Sequence, residues 1–336
     1  MARHHTTILL IYQRIKYNSL TYEIILPYWL FMTENLTSPR VSFVKILRWQ
    51  LGRLFSKKKH SHTPVPIITH SHLPQGEYAM WIGHASVWLR LGETTVAIDP
   101  VFGNIPMHSR LVPLPLPKEQ LRADVVLITH AHYDHYDKAT IQYMLSQNPD
   151  LIIVAPAGFW RYMKQIIDTE QCFELEWWES LMVGGLFITL VPAKHWSKRT
   201  PFDTNKALWG GYVIQNEEHT LYHSGDSAMG DHFKTIGDRF EIDEAFLPIG
   251  AYKPEWIMSH NHINPPEALQ AAHDLGAQTL IPIHYGTFHL SDEESNEPLQ
   301  WLKECVAKNT SYLTTQIVSI GEVYPLNTVP EKGTIS

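Results

Sequence analysis

Residues 125–135 read Val-Val-Leu-Ile-Thr-His-Ala-His-Tyr-Asp-His, an apolar run that stops at four side chains able to bind metal. Val125–Thr129 has the β-branched and apolar character of a buried strand. His130, His132, Asp134 and His135 follow on the loop that leaves it. In an extended loop His130 and His132 project to the same side, because side chains alternate with a period of two. Asp134 and His135 come where the chain must turn, and can serve a second ion beside the first. Imidazole nitrogens with a carboxylate oxygen suit zinc, with iron or manganese as alternatives. The competing reading is a polar loop that is merely rich in histidine, in a chain with 20 of them.

Working outward from this loop, the same arrangement recurs. His195 comes just past the run Leu186–Ala193, Asp226 past Thr220–His223, and His284 closes Thr279–His284. Each candidate sits at the C-terminal end of a predicted strand, where rigid elements can deliver side chains to one sheet edge. Alone, any of them reads as a turn residue; together with the 130–135 loop they read as one site. Further strands are expected at Val87–Leu91, Thr94–Ile98, Leu151–Ala155, Tyr212–Gln215 and Ala245–Ile249. Helical patterns fall at Lys138–Ser146, Phe159–Ile167 and Pro265–Leu275. The last has Asn264 as N-cap, Pro265 at its first position and Gly276 at its end. Many strands with interspersed helices predict an α/β fold of layered sheets flanked by helices.

Length, charge and cysteines bound the rest. A chain of 336 residues can bury a large core, so one large domain with an extension is expected. Cys172 and Cys305, the two cysteines, make no disulfide framework and point to a reducing, cytoplasmic setting. Residues 1–60 hold 10 Lys/Arg and 2 Asp/Glu, whereas the remainder holds 17 and 32. An acidic body argues against a nucleic-acid enzyme, whose basic surface should lie near its catalytic loops.

The basic leader, 1–75, is read separately. Ile24–Met32 is too short to span a bilayer, and no small-residue cleavage site follows it. Met32 is an alternative start to Met1. Residues 41–59 place Val44, Leu47, Leu51, Leu54 and Phe55 at helical spacing among Lys45, Arg48, Arg53 and Lys57–Lys59. Such a helix can lie in the headgroup layer at the inner face of a membrane, or pack on its own domain or a dimer partner. His60, His62, His70 and His72 fall in what reads as a linker. The main domain is expected over 76–310, with a C-terminal strand and tail at 311–336.

The order HxHxDH, then a His, then Gly-Asp, then a late His resembles the metallo-β-lactamase superfamily. A narrower resemblance, to N-acyl-phosphatidylethanolamine phospholipase D and its bacterial relatives, is carried by Trp81–Ser86, Asp99–Phe102, Thr129–Asp137 and Pro192–Arg199. It continues through Phe202–Lys206, Leu208–Gly210, His223–Asp226, His262–Ala268 and Ile283–Thr287, so it covers about residues 78–290. The resemblance implies an αββα sandwich of two mixed sheets holding two zinc ions. By the same resemblance His130, His132 and His195 would bind one ion, Asp134, His135 and His284 the other, and Asp226 both. His262 would lie near the substrate phosphate, or else merely cap the helix at Pro265. His84 and Asp99 match positions that support the ligands without binding metal. The implied chemistry is hydrolysis by a hydroxide activated between two metals, with Asp134 and His262 in the catalytic set.

Three function classes follow. The first is a zinc-dependent phosphodiesterase on N-acyl-phosphatidylethanolamine or a related phospholipid, peripheral to the membrane and homodimeric as the resemblance implies. The second is a metal-dependent hydrolase of a lactone or another non-lipid ester, since fold alone does not select the bond. The third is a non-hydrolytic protein with a structural metal, which Asp134 and Asp226 argue against because structural zinc sites are closed four-ligand cages.

Overall fold

The computed structural model describes residues 65–308 and 313–326, together with Arg48, Trp49 and Gly52. Strands β1 (Tyr78–Gly83), β2 (Ser86–Leu91), β3 (Thr94–Ile98), β4 (Val125–Leu127), β5 (Ile152–Pro156) and β6 (Cys172–Leu175) lie side by side in chain order. Strands β7 (Ser180–Val183), β8 (Leu186–Val191), β9 (Gly211–Gln215), β10 (Thr220–His223), β11 (Glu244–Pro248), β12 (Thr279–Ile283) and β13 (Thr314–Thr315) form a second sheet, again without a break in order. β14 (Val323–Pro325) returns to the first sheet and pairs antiparallel with β1. Each sheet is mixed. β1, β2 and β3 are antiparallel neighbours while β3 to β6 are parallel. The second sheet is antiparallel from β7 to β10 and parallel from β10 to β13.

Period-two patterning assigns the faces. Ala79 and Trp81 of β1, Val87 and Leu89 of β2, Ile98 of β3 and Leu127 of β4 join Ile188, Leu190, Tyr212 and Ile214 of the second sheet in the central core. Their alternates, Tyr78, Met80, Ile82, Trp88, Ala97 and Val126, form a second core with Ile141, Met144, Phe159 and Met163. Those last four bring in α1 (Lys138–Gln147), α2 (Trp160–Met163) and the turn before it. On the far side, α3 (His232–Gly237), the single turn α4 (Glu255–Met258), α5 (Pro265–Asp274) and α6 (Glu297–Lys308) follow the second sheet. α5 packs on β11 and β12, and α3 and α6 pack on α5. The layers are therefore helix, sheet, sheet, helix, the αββα sandwich.

Local signals explain where α1 and α5 begin. Asp137 accepts from the amides of Ala139 and Thr140 at the start of α1. Asn264 and Glu267 form a reciprocal capping box ahead of α5. The helix expected at Phe159–Ile167 is only the single turn Trp160–Met163. It has no side-chain cap and buries only Met163 along its length, and the following Ile166-Ile167 pair is β-branched, which weakens further propagation.

Of the leader, Arg48, Trp49 and Gly52 are helical, and Trp49 Nε1 donates to Asp292 Oδ2 at 2.7 Å. The rest of the amphipathic segment 41–59, the earlier leader, His60, His62 and the tail beyond 326 lie outside the described residues. His70 bonds the carbonyl of Gly321 at 2.8 Å and His72 pairs with Ser71, so neither faces the metal-type cluster. No helix among the described residues is long and apolar enough to cross a membrane.

Glu244, the first residue of β11, points between the sheets with 8% of its surface exposed. Tyr324 donates to its Oε1 at 3.3 Å, and its Oε2 has no hydrogen-bond partner. Burial, with Asp243 beside it, pushes its pKa up to about 7. A carboxyl whose folded pKa is raised binds more protons folded than unfolded, so stability falls as pH rises from about 4.5 to about 7. Glu244→Gln is therefore expected to raise the melting temperature at pH 8 and to change it little at pH 4.5, as read by thermal denaturation at both pH values.

Candidate metal centre

Strand ends bring the predicted residues together. His130, His132, Asp134 and His135 ride the loop after β4, His195 follows β8, Asp226 follows β10 and His284 follows β12 directly. His84 follows β1 and Asp99 follows β3, so all come from the C-terminal ends of strands. His262 arrives from the connection between α4 and α5, its amide bonded to the carbonyl of Met258 at 2.9 Å.

Two groups of donors result. In the first, His132 Nδ1 lies 2.8 Å from His130 Nε2 and 3.3 Å from His195 Nε2. In the second, Asp134, His135 and His284 cluster with His84. Asp226 faces both: its Oδ2 is 4.0 Å from His130 Nε2, 3.8 Å from His195 Nε2 and 3.2 Å from His135 Nε2. Its Oδ1 is 3.0 Å from His284 Nε2. His262 Nδ1 is 3.7 Å from Asp226 Oδ2, at the partly open side of the cluster.

The outer contacts select which ring nitrogen faces inward. Asp99 accepts the Thr129 amide at 2.8 Å and the Thr129 hydroxyl at 2.5 Å, and it takes His135 Nδ1–H at 2.7 Å. His130 Nδ1 donates to the Thr129 hydroxyl oxygen at 3.0 Å, and His195 Nδ1 to the Asn261 carbonyl at 3.0 Å. Each of these bonds leaves Nε2 turned to the centre, the device by which metal-binding histidines are oriented. His84 Nε2 donates to Asp134 Oδ2 at 3.0 Å, which places His84 behind that carboxylate.

Electrostatics favour the binding forms of His130, His132, His195 and the carboxyls of Asp134 and Asp226. At His135, by contrast, burial is outweighed by the carboxylates of Asp226, Asp134 and Asp99, which hold the ring well above the usual imidazole range, so a cation must displace its proton. Burial, reinforced by neighbouring rings, holds His130 well below the usual imidazole range. Burial likewise keeps His195 low and lowers His132 to about 4, although nearby carboxylates oppose it. These rings are neutral, with lone pairs available. Burial would raise the pKa of Asp134 and Asp226, but His135 and the rings around them outweigh it, so both carboxyls sit well below their ordinary value.

The backbone is strained to achieve this. His84, Asp99 and His284 have φ of 54°, 43° and 64°, left-handed values that a residue with a Cβ adopts at a cost of order 1–3 kcal/mol. Gly225, with φ of 59°, is needed for another reason: a Cβ there would meet Thr129 Cβ at 2.8 Å and the Gly210 carbonyl at 2.9 Å. That close approach lets Asp226 reach the metal-type loop.

The donors pass a simple test of fit to metal. His135 Nε2, His284 Nε2, Asp226 Oδ1 and His262 Nδ1 are buried without a hydrogen-bond partner. In the first group, three ring nitrogens face one another, and the single available proton on His132 Nδ1 cannot satisfy both neighbours. Buried polar atoms left so are costly unless a cation meets them. Nitrogens about 3 Å apart, with a carboxylate serving both groups, suit a pair of cations of the zinc class.

The structure brings the seven ligand candidates and His262 to one place, and adds an orienting role for Thr129, which the Thr129–Asp137 motif includes without a role, and for Asn261, which no motif includes. Thr129 carried a signal, as a hydroxyl at the strand end next to the first histidine. Asn261 acts through its backbone carbonyl, which leaves no mark in a sequence. Arg199 closes the Pro192–Arg199 motif, which by itself assigns it no role. Its guanidinium stacks 3.8 Å over the Tyr133 ring and bonds the carbonyls of Ala131 and Tyr136, clamping the loop from outside.

Fold and donor set define a metal-dependent hydrolase. A β-lactamase superfamily domain matches residues 94–285, and the chain belongs to the metallo-β-lactamase superfamily. It is 34% identical over 289 residues to the N-acyl-phosphatidylethanolamine-hydrolyzing phospholipase D 1 of Caenorhabditis elegans, covering 79% of this chain and 80% of that one. It is also 34% identical over 240 residues to the mitochondrial N-acyl-phosphatidylethanolamine-hydrolyzing phospholipase D of Saccharomyces cerevisiae. There the match covers 67% of this chain but spans only about half, 51%, of the yeast protein. Among solved structures, the isothiocyanate hydrolase from Delia radicum gut bacteria superposes with a TM-score of 0.61 at 19% identity, over 75% of this chain and 99% of that one. At that identity the likeness is one of fold.

Proposed function

We propose that this chain is a zinc-dependent phosphodiesterase that cleaves N-acyl-phosphatidylethanolamine or a closely related phospholipid. The observation that carries the reading is the convergence of the buried, unpartnered donor atoms of His135, His284 and Asp226 beside the neutral trio His130, His132 and His195. His130, His132 and His195 would hold one ion, Asp134, His135 and His284 the other, and Asp226 would contact both. Bound there, the ions supply Lewis acidity toward a phosphoryl oxygen and a nucleophile at neutral pH.

The chain's own residues account for the rest. Asp99 and His84 keep His135 and Asp134 aimed. His262, with 12% of its side chain exposed, stands where a substrate would enter and can donate from its ring to a phosphate oxygen or the departing alkoxide. The lipid side of the proposal draws on the printed activities of the worm and yeast relatives. It draws also on exposed apolar groups on segments that adjoin the site residues in sequence. Tyr133 lies within the metal-type loop at 43% exposure, Phe202 three residues beyond Arg199 at 91%, and Trp256 on α4 at 43%. Such groups can rest in a headgroup layer while the substrate headgroup reaches the centre.

Elemental analysis and hydrolysis of N-acyl-phosphatidylethanolamine in mixed vesicles test this directly. About two zinc ions per chain, with release of phosphatidic acid that a chelator stops and zinc restores, is the expected result. Two zinc ions with no phosphodiester cleaved, but a lactone or simple ester hydrolysed, would transfer the site to carbonyl chemistry.

A further inference from the structure

Glu77 and His219 immediately precede β1 and β10, whose opposite ends carry His84 and Asp226. The six residues of β1 between Glu77 and His84 span roughly 20 Å, and β10 runs between His219 and Asp226, so Glu77 and His219 lie at the end of the sandwich remote from the hydrolytic centre. Glu77 leads into the first sheet and His219 into the second. Their side chains meet across the gap with Glu218, and one donor atom from each of the three lies within 4.8 Å of the others.

His219 is 3% exposed, yet its Nε2 is buried with no hydrogen-bond partner. The facing atom, Glu77 Oε2, is 3.5 Å away, beyond a good N–H···O bond. It is the separation of two ligands on a shared tetrahedral ion, each about 2 Å from the metal. Glu77 is held for this role by its other oxygen: Oε1 accepts the Gly92 amide at 2.5 Å and the Asn216 side-chain amide at 3.4 Å. The β9–β10 turn is held as well, since Asn216 Oδ1 accepts the amides of Glu218 and His219 at 3.0 Å and 2.6 Å. Glu218 is exposed, so the site is open to solvent on one side and water can complete the coordination.

We propose that Glu77, Glu218 and His219 form an additional, non-catalytic site for a divalent cation of the zinc class, which clips the two sheets together at the end away from the active centre. One imidazole with two carboxylates is a donor set that zinc accepts, the imidazole selecting it over calcium or magnesium, and the open side makes this ion more exchangeable than those of the buried cluster. A cation that binds only the folded chain stabilises it by mass action.

The test is equilibrium dialysis of the full-length protein against graded free Zn2+, with bound zinc and melting temperature measured at each step. Wild type is expected to bind one more zinc per chain than His219→Gln or Glu218→Gln, and to melt higher across the range where that ion binds. Each variant should weaken this step at least tenfold and leave hydrolysis at the lower zinc concentration unchanged. Should His219→Gln fail to fold, Glu218→Gln carries the comparison, because its side chain is on the surface. Equal zinc stoichiometry and equal melting shifts in wild type and Glu218→Gln would overturn the proposal, leaving a plain His219–Glu77 ion pair.

Discussion

Asp226→Asn is expected to lower phosphodiester hydrolysis by about three orders of magnitude, roughly 4 kcal/mol of transition-state stabilisation, and to reduce bound zinc below two per chain. No other carboxylate in the cluster meets both donor groups: its Oδ2 is 3.2 Å from His135 and 3.8 Å from His195, and its Oδ1 is 3.0 Å from His284. The amide of asparagine keeps the shape but loses the charge and presents N–H₂ where one oxygen stood, a donor facing lone pairs. Elemental analysis and steady-state kinetics on the same preparation check both halves. Full zinc content with full activity would remove Asp226 from the centre.

His262→Ala is expected to keep the zinc content and still lose about 10²–10⁴ in kcat on the lipid, the range for a positioned acid or base. His262 approaches the centre from the α4–α5 connection, its ring 5.3 Å from that of His195 and 5.5 Å from that of His284. It is near both donor groups while retaining some exposure to the entrance. If it protonates the leaving alkoxide, bis(p-nitrophenyl) phosphate should suffer much less, because nitrophenolate departs without a proton. A comparable loss on both substrates would instead indicate binding of the phosphate oxygens. A fall in zinc content would make His262 a ligand.

Much of the architecture is legible in local pattern. β3, β5, β8, β10 and β12 fall within one or two residues of the apolar runs that predict them, since a buried strand needs a continuous apolar or β-branched stretch. The edge strands carry less signal. β6 and β7 are only partly buried, β13 is two residues long, and β14 is three, so their residues carry weak alternation. Their place in the sheets depends on partners distant in sequence, as when Val323 pairs with Met80.

By itself the sequence determined the candidate donors and their strand-end positions: His130, His132, Asp134 and His135 after β4, then His195, Asp226 and His284. These are set by residue type and by spacing along the chain, which a reader of the sequence can see. What only the tertiary structure decided is how those donors are aimed and what else meets them. Thr129 and Asp99 turn the rings of His130 and His135, a backbone carbonyl at Asn261 turns His195, and left-handed φ values at His84, Asp99 and His284 bend the chain toward one point. The Glu77–His219 meeting belongs to the same category. A ligand's chemistry is a property of one side chain, but its direction and its partners are set by packing between segments far apart in the chain, as in the bond from the His84 amide to Thr287, 203 residues away, and such packing exists only once the two sheets have closed on each other.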